Sequence, residues 1–264
     1  MVTLGISYNH ASALQNQGRF SEARGQYEQV VSTARRTLGP RHPFLAYPLV
    51  GSGLVAQYRG EGEAARAFFQ EVLVITEGKG PNAANAHEAL AQLATAQGRY
   101  EDAVASLRKA RVLTDQLTLG GPETLGTLAQ EGLVLLEQGK LEAAWALFQD
   151  VLTRGAKMDG AFDAVSDAQR GEARILLARG QPSKALPLAE AAVATLITTR
   201  GKSHPVTLET RLVAAEVRWA LSQREQARKE AQGILAEALL ELDPNHPLCR
   251  KARALIDREG QSAR

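Results

Sequence analysis

The feature that most limits what this chain can fold into is an internal period of about forty residues. Gly18, Gly60, Gly98, Gly139, Gly180 and, in the equivalent place, Ser222 follow one another at spacings of 42, 38, 41, 41 and 42. Five residues after each stands an alanine: Ala23, Ala65, Ala103, Ala144, Ala185 and Ala227. Seven residues before each stands another small residue: Ala11, Gly53, Ala91, Gly132, Ala173 and Ala215. A chain that repeats itself in this way folds as stacked units, because no single unit can bury both of its faces.

Nine and twelve residues after each landmark the positions are mostly apolar, as at Tyr27 and Val30, Phe69 and Val72, or Phe148 and Val151. Offsets of five, nine and twelve are the three- and four-residue steps of one buried helical face. The residues before each landmark, such as Leu90, Ala91, Leu93 and Ala94, show the same habit. Each unit therefore reads as two helices hinged at a glycine, which relieves the steric cost of a turn where φ is positive. Three of the five histidines, His42, His204 and His246, stand directly before a proline. Proline suits the first helical position, where its missing N–H has no partner to lose. The His-Pro pairs mark where first helices begin.

The segment ALAQLATAQGRYEDAVASLRKA (89–110), with Gly98, Tyr100, Ala103 and Ala110, resembles a tetratricopeptide repeat. The unit length and the LGPRHP linker resemble the longer kinesin-light-chain-like subtype, in a bacterial style. This resemblance implies an all-α fold, a right-handed α-solenoid of about six helix-turn-helix (TPR) repeats. The units are drawn at 1–40, 41–79, 80–119, 120–158, 159–202 and 203–244, with a C-terminal capping helix over 246–259. Some units depart from the pattern: Gly62, Pro182 and Arg224 stand where a hinge aromatic belongs. Pro48 is expected to bend the first helix of the second unit, and Pro187 to tighten the start of the second helix of the fifth.

Composition excludes several classes. Lys plus Arg is 31 against 29 Asp plus Glu, with no basic stripe to mark a nucleic-acid binder. One cysteine, Cys249, rules out an internal disulfide, and no apolar run is long enough for a membrane span. MVTLGISYNH lacks the features of a secretion signal, so a cytoplasmic protein is expected. GSGLVA (51–56) matches a dinucleotide fingerprint, but no strand precedes it and Gly53 already serves helix packing. HEALA (87–91) is half of a zinc motif, with Ala91 where the second histidine belongs. No phosphate loop or nucleophile elbow occurs, and Glu101, Asp102, Glu61 and Glu63 sit where a helix N-terminus favours negative charge. The expectation is a non-enzyme with neither cofactor nor metal.

The resemblance also implies that first helices line a concave face that binds an extended peptide or protein segment. Carried over by register, that face takes in Tyr8, Ser12, Gln15, Tyr47, Leu54, Gln57, Asn85, Glu88, Gln92, Leu133, Arg174 and Trp219. Amides can pair with a peptide backbone and leucines can offer apolar pockets. The paired asparagines that clamp a backbone in kinesin-light-chain-like families are mostly missing: Asn9 is followed by Gly51, Ala89, Gln130, Arg170 and Val213. The expected partner is thus a protein or peptide. Two other readings stand beside it: a structural scaffold that self-associates, and the regulatory repeat tail of a larger bacterial signalling protein such as a serine/threonine kinase.

Overall fold

A computed structural model describes residues 2–117 and 120–258. Met1, 118–119 and 259–264 fall outside it, and with them the outer edges of the predicted units 1–40 and 80–119 and of the predicted cap at Glu259. The described residues form thirteen α-helices. They are α1 (Val2–Asn16), α2 (Phe20–Leu38), α3 (Ala46–Tyr58), α4 (Gly62–Ile75), α5 (Gly80–Ala96), α6 (Tyr100–Leu117) and α7 (Pro122–Glu137). There follow α8 (Leu141–Gly155), α9 (Phe162–Ala178), α10 (Pro182–Arg200), α11 (Pro205–Ala220), α12 (Arg224–Ala238) and α13 (Pro247–Ile256). Odd and even helices alternate in a stacked α-solenoid.

The hinges explain the period. Gly18, Gly60, Gly98, Gly139 and Gly180 all hold φ between 68° and 84°, and Ser222 holds 66°. At each, the next N–H reaches back five residues to close the helix end: Arg19 to Leu14, Glu61 to Ala56, Arg99 to Ala94, Lys140 to Leu135, Gln181 to Leu176 and Gln223 to Arg218, at 2.8–3.0 Å. Such a closure needs a left-handed residue, which glycine supplies without strain. Ser222 takes the same conformation with a side chain in place.

The small residues are notches for large ones. A methyl on Gly53 would lie 2.5 Å from the Phe69 ring, and one on Gly51 2.2 Å from the Tyr27 ring. Phe148 of α8 sits between Gly132 of α7 and Gly171 of α9, where added methyls would come within 2.5 and 2.2 Å of its ring. The two glycines of GSGLVA thus receive one aromatic ring each, which accounts for that motif without a nucleotide.

Each His-Pro histidine does more than mark a boundary. The Nδ1 atoms of His42, His204 and His246 accept the backbone N–H of Phe44, Val206 and Leu248 at 3.2–3.3 Å. The histidine is therefore the N-cap, satisfying a donor that the helix leaves open. Pro122 begins α7 in the same proline position, and Pro81 stands second in α5 after Gly80, neither with a histidine before it. Pro48 behaves differently from expectation: the chain makes a 3₁₀ turn over Pro43–Leu45 and α3 then starts at Ala46, so Pro48 falls in the first turn. Pro187 does lie within α10.

The array closes on itself. One buried core includes Ala11, Leu14, Phe20 and Tyr27 from α1–α2 together with Leu208, Ile234, Leu248 and Leu255 from α11–α13. Phe20 stacks on Tyr58, and His204 packs edge-on against both rings at 6.0 and 4.9 Å. The Ser21 N–H and hydroxyl donate to Glu241 at 3.0 and 2.9 Å across 220 residues of sequence.

Candidate functional site along the inner face

A polar ladder runs across five successive odd-numbered helices. Gln57 Nε2 of α3 donates to Gln92 of α5 at 2.6 Å, and Gln92 Nε2 donates to Gln130 of α7 at 3.2 Å. Gln130 Nε2 donates to Asp167 of α9 at 2.8 Å. Arg170 then links Asp167, at 2.8 Å, to Glu209 of α11, at 3.1 Å. Beside the ladder the Thr127 hydroxyl donates to Glu88. Relative to the hinges, Gln57, Gln92, Gln130 and Asp167 stand three, six, nine and thirteen residues back. The ladder thus climbs one helical turn per unit, a diagonal across the face.

Burial shapes the charge here. Desolvation pushes the Glu88 carboxyl up, against the Thr127 hydrogen bond, with Asp167 and Glu123 adding like-charge repulsion. Asp167 is raised by burial as well, although the Arg170 and Arg200 guanidiniums pull it the other way. Gln57 Oε1 and Arg170 Nε are buried without a protein partner. The face therefore offers both hydrogen-bond acceptors and donors in a partly dried setting, where such bonds gain strength.

The expected face residues fall into three groups. Gln57, Gln92 and Glu88 belong to the ladder region. Tyr8, Ser12, Gln15 and Tyr47 surround the first helix pairs. The Tyr8 ring lies 6.0 Å from Tyr47 and 6.2 Å from Tyr27, while Gln15 is buried and accepts the Tyr27 hydroxyl at 2.9 Å. Tyr47 and Asn85 are exposed, whereas Leu54 and Leu133 are half-buried and pack on the cores beneath them. At the far end Arg174 pairs with Glu137 at 2.8 Å. The Trp219 indole lies under the guanidiniums of Arg224, Arg228 and Arg258 at 5.4–5.8 Å. Reading the face at fixed offsets missed Asp167, Glu209 and Thr127 as partners and read Gln130 and Arg170 only as absent asparagines. The diagonal takes in Gln130 and Asp167, whereas Thr127, Arg170 and Glu209 lie off it.

Among the described residues no group of three His, Cys, Asp or Glu side chains could hold a metal ion, and no helix is long and apolar enough to cross a membrane. Cys249 is buried in α13, where burial pushes its thiol up.

Family models described as tetratricopeptide repeat match residues 3–77, 44–116 and 130–198. No curated protein matches the chain. Among solved structures, NprR in complex with its cognate peptide NprX is 13% identical, with a TM-score of 0.68 over 97% of this chain and 70% of that one. A Rap protein complexed with competence and sporulation factor is 14% identical, with a TM-score of 0.66 over 97% and 74%. A Podospora anserina kinesin light chain with nearly identical TPR-like repeats is 23% identical, with a TM-score of 0.53 over 75% and 97%. These likenesses concern the fold.

Proposed function

The chain belongs to the tetratricopeptide repeat family, and from that premise we propose that it is a non-catalytic interaction module binding an extended peptide along its inner face. The whole of 1–264 acts as one solenoid, with the six units and cap drawn from the sequence as its repeats, in a cytoplasmic setting. The ladder from Gln57 to Asp167 is the observation that carries this reading. A primary amide both donates and accepts, as a peptide unit does. A row of amides one unit apart can therefore exchange its mutual bonds for bonds to an extended backbone. Leu54, Leu133 and Tyr47 flank the row as apolar contacts for alternate side chains. The peptides and factors bound in the NprR and Rap structures, which share the fold, support the same reading.

Selection of random linear peptides on the purified chain tests it. Enriched peptides should bind the parent and lose at least about tenfold in affinity for a folded Leu54→Glu, Leu133→Glu variant. Enriched peptides that bind both equally would move the site off this face, and a selection that enriches nothing would remove the peptide-binding reading.

A further inference from the structure

The contact between the two ends of the solenoid differs in kind from its internal joints. It joins the α1–α2 hinge and the end of α3 to the start of α11 and to the segment between α12 and α13. Gly18 abuts the Ser203 carbonyl closely enough that a methyl would lie 3.3 Å from that oxygen, and Gly60 abuts His246. Arg59 Nη1 donates to the Ser21 hydroxyl at 3.0 Å, beside the Ser21–Glu241 bonds. His204 is fully buried, yet its Nε2 has no protein partner. Clefts of about 580 and 240 Å³ run along the seam, and Leu239 and Leu240 stand exposed at their margins.

We propose that this seam is a releasable clasp that holds the array shut over its own ladder, so that an extended chain reaches the ladder only when the two ends part. Three observations carry this. First, the seam combines polar bonds, clefts and an orphaned buried nitrogen, and such a contact forfeits packing energy that a dense joint keeps. The two ends share buried side chains, but no described helix pair across the seam packs backbone against backbone as the sequential neighbours do. Local opening begins where contacts are poorest. Second, the seam and the ladder share ground. Tyr58, which packs on His204, follows Gln57, the first rung, and lies in the field of Arg200, Glu209, Asp167 and Asp163. Asp167 and Glu209 are the last rungs. Third, in the shut state each rung already bonds to a neighbouring rung, so the closed array is a resting form with most of its ladder groups occupied. A ligand that binds the open form is weakened by the fraction of molecules that are shut.

The test needs no peptide, so its failure is separate from failure of the peptide reading. A reporter thiol is placed on the middle rung as Gln130→Cys, with Cys249→Ala removing the native cysteine. Its labelling by a small maleimide is compared with labelling by one carrying a long polyethylene glycol chain. Glu241→Lys loosens the seam from the surface, removing both bonds to Ser21 and setting a cation beside Arg59. Hydrogen exchange in α13 reports whether the ends have parted. With the ends parted, the bulky reagent should react at least about tenfold faster while the small one stays within about twofold. If exchange shows the seam still shut, adding Tyr58→Ala removes the ring against His204, and the same rise is expected there. Rapid bulky labelling with the seam intact overturns the clasp. So does a rate that fails to rise once exchange shows the ends apart.

Discussion

Two joints in this molecule do the same job by different means. Between α7 and α9, Phe148 fills notches that Gly132 and Gly171 leave open, and the joint is dry and fully buried. Between α1–α3 and α11–α13, Phe20, Tyr58 and His204 make an aromatic stack edged by Ser21, Arg59 and Glu241. The first joint is made of residues that recur with the period, so each unit specifies its neighbour. The second is made of residues that recur nowhere in the same combination, because only one pair of ends exists. A solenoid's internal stacking is thus written locally, while its closure depends on a single set of distant partners.

The largest effect should come from emptying the internal joint. Phe148→Ala is expected to cost about 3–5 kcal/mol in denaturant unfolding, since it leaves a cavity lined by two helices. A loss below about 1 kcal/mol would mean that α7 and α9 collapse together and that the joint is not dense. Overfilling it is the next step down: Gly171→Ala should cost about 1–3 kcal/mol, because a methyl 2.2 Å from the Phe148 ring forces that ring to move.

The seam has its own signature, in acid. Burial pushes the His204 imidazole down to about 3, helped by the Arg200 charge, with Asp163 opposing. The unfolded chain then takes up a proton below about pH 6.5 that the folded chain refuses, so stability falls by up to about 1.4 kcal/mol per pH unit as pH drops from there toward 3. His204→Asn keeps a capping acceptor and should flatten that slope in thermal or urea unfolding across pH 4–7. An unchanged slope would show that His204 is not a source of the acid sensitivity.

Smaller again are the hinges. Gly98→Ala, at φ 72° with open space around it, should lose about 1 kcal/mol, whereas Ser222→Gly should gain a few tenths to about 1. Opposite signs at equivalent hinges, read from paired melting curves, would sharpen the view that the period is set by backbone conformation. Smallest of all, Arg35→Ala breaks a pair with Glu71 that is 44% and 34% exposed. Its cost should stay under about 1 kcal/mol and fade in salt, since surface pairs are screened.

The internal joints were legible because they repeat. All six landmark positions hold a positive φ, and every alanine five residues on is fully buried. Capping by Nδ1 of the His-Pro histidines was only half legible: the boundary could be read from proline, but a side-chain acceptor depends on a rotamer that spacing does not reveal. Pro48 was misjudged because a preceding 3₁₀ turn moved the start of α3 next to it. The inner face was read in straight columns, which captured Gln57 and Gln92. The superhelical twist places the first four rungs on a diagonal, so each bonds to a partner in another column. Asp167 and Glu209 share the column of Tyr47 and Asn85, but their partners Gln130 and Arg170 do not, and a column read alone gave them no role. Nothing in the sequence pointed to Ser21 meeting Glu241, since no local pattern encodes a contact between ends that meet once.

The closed array is best tested by measuring the distance between its ends. Spin labels at Gln17→Cys and Leu240→Cys, in a Cys249→Ala background, flank the cleft where the first hinge faces the segment after α12. Pulsed dipolar spectroscopy should give a distribution dominated by one short distance in the free protein. A broad distribution centred on long distances would contradict the closed solenoid, leaving an open superhelix whose ends never meet.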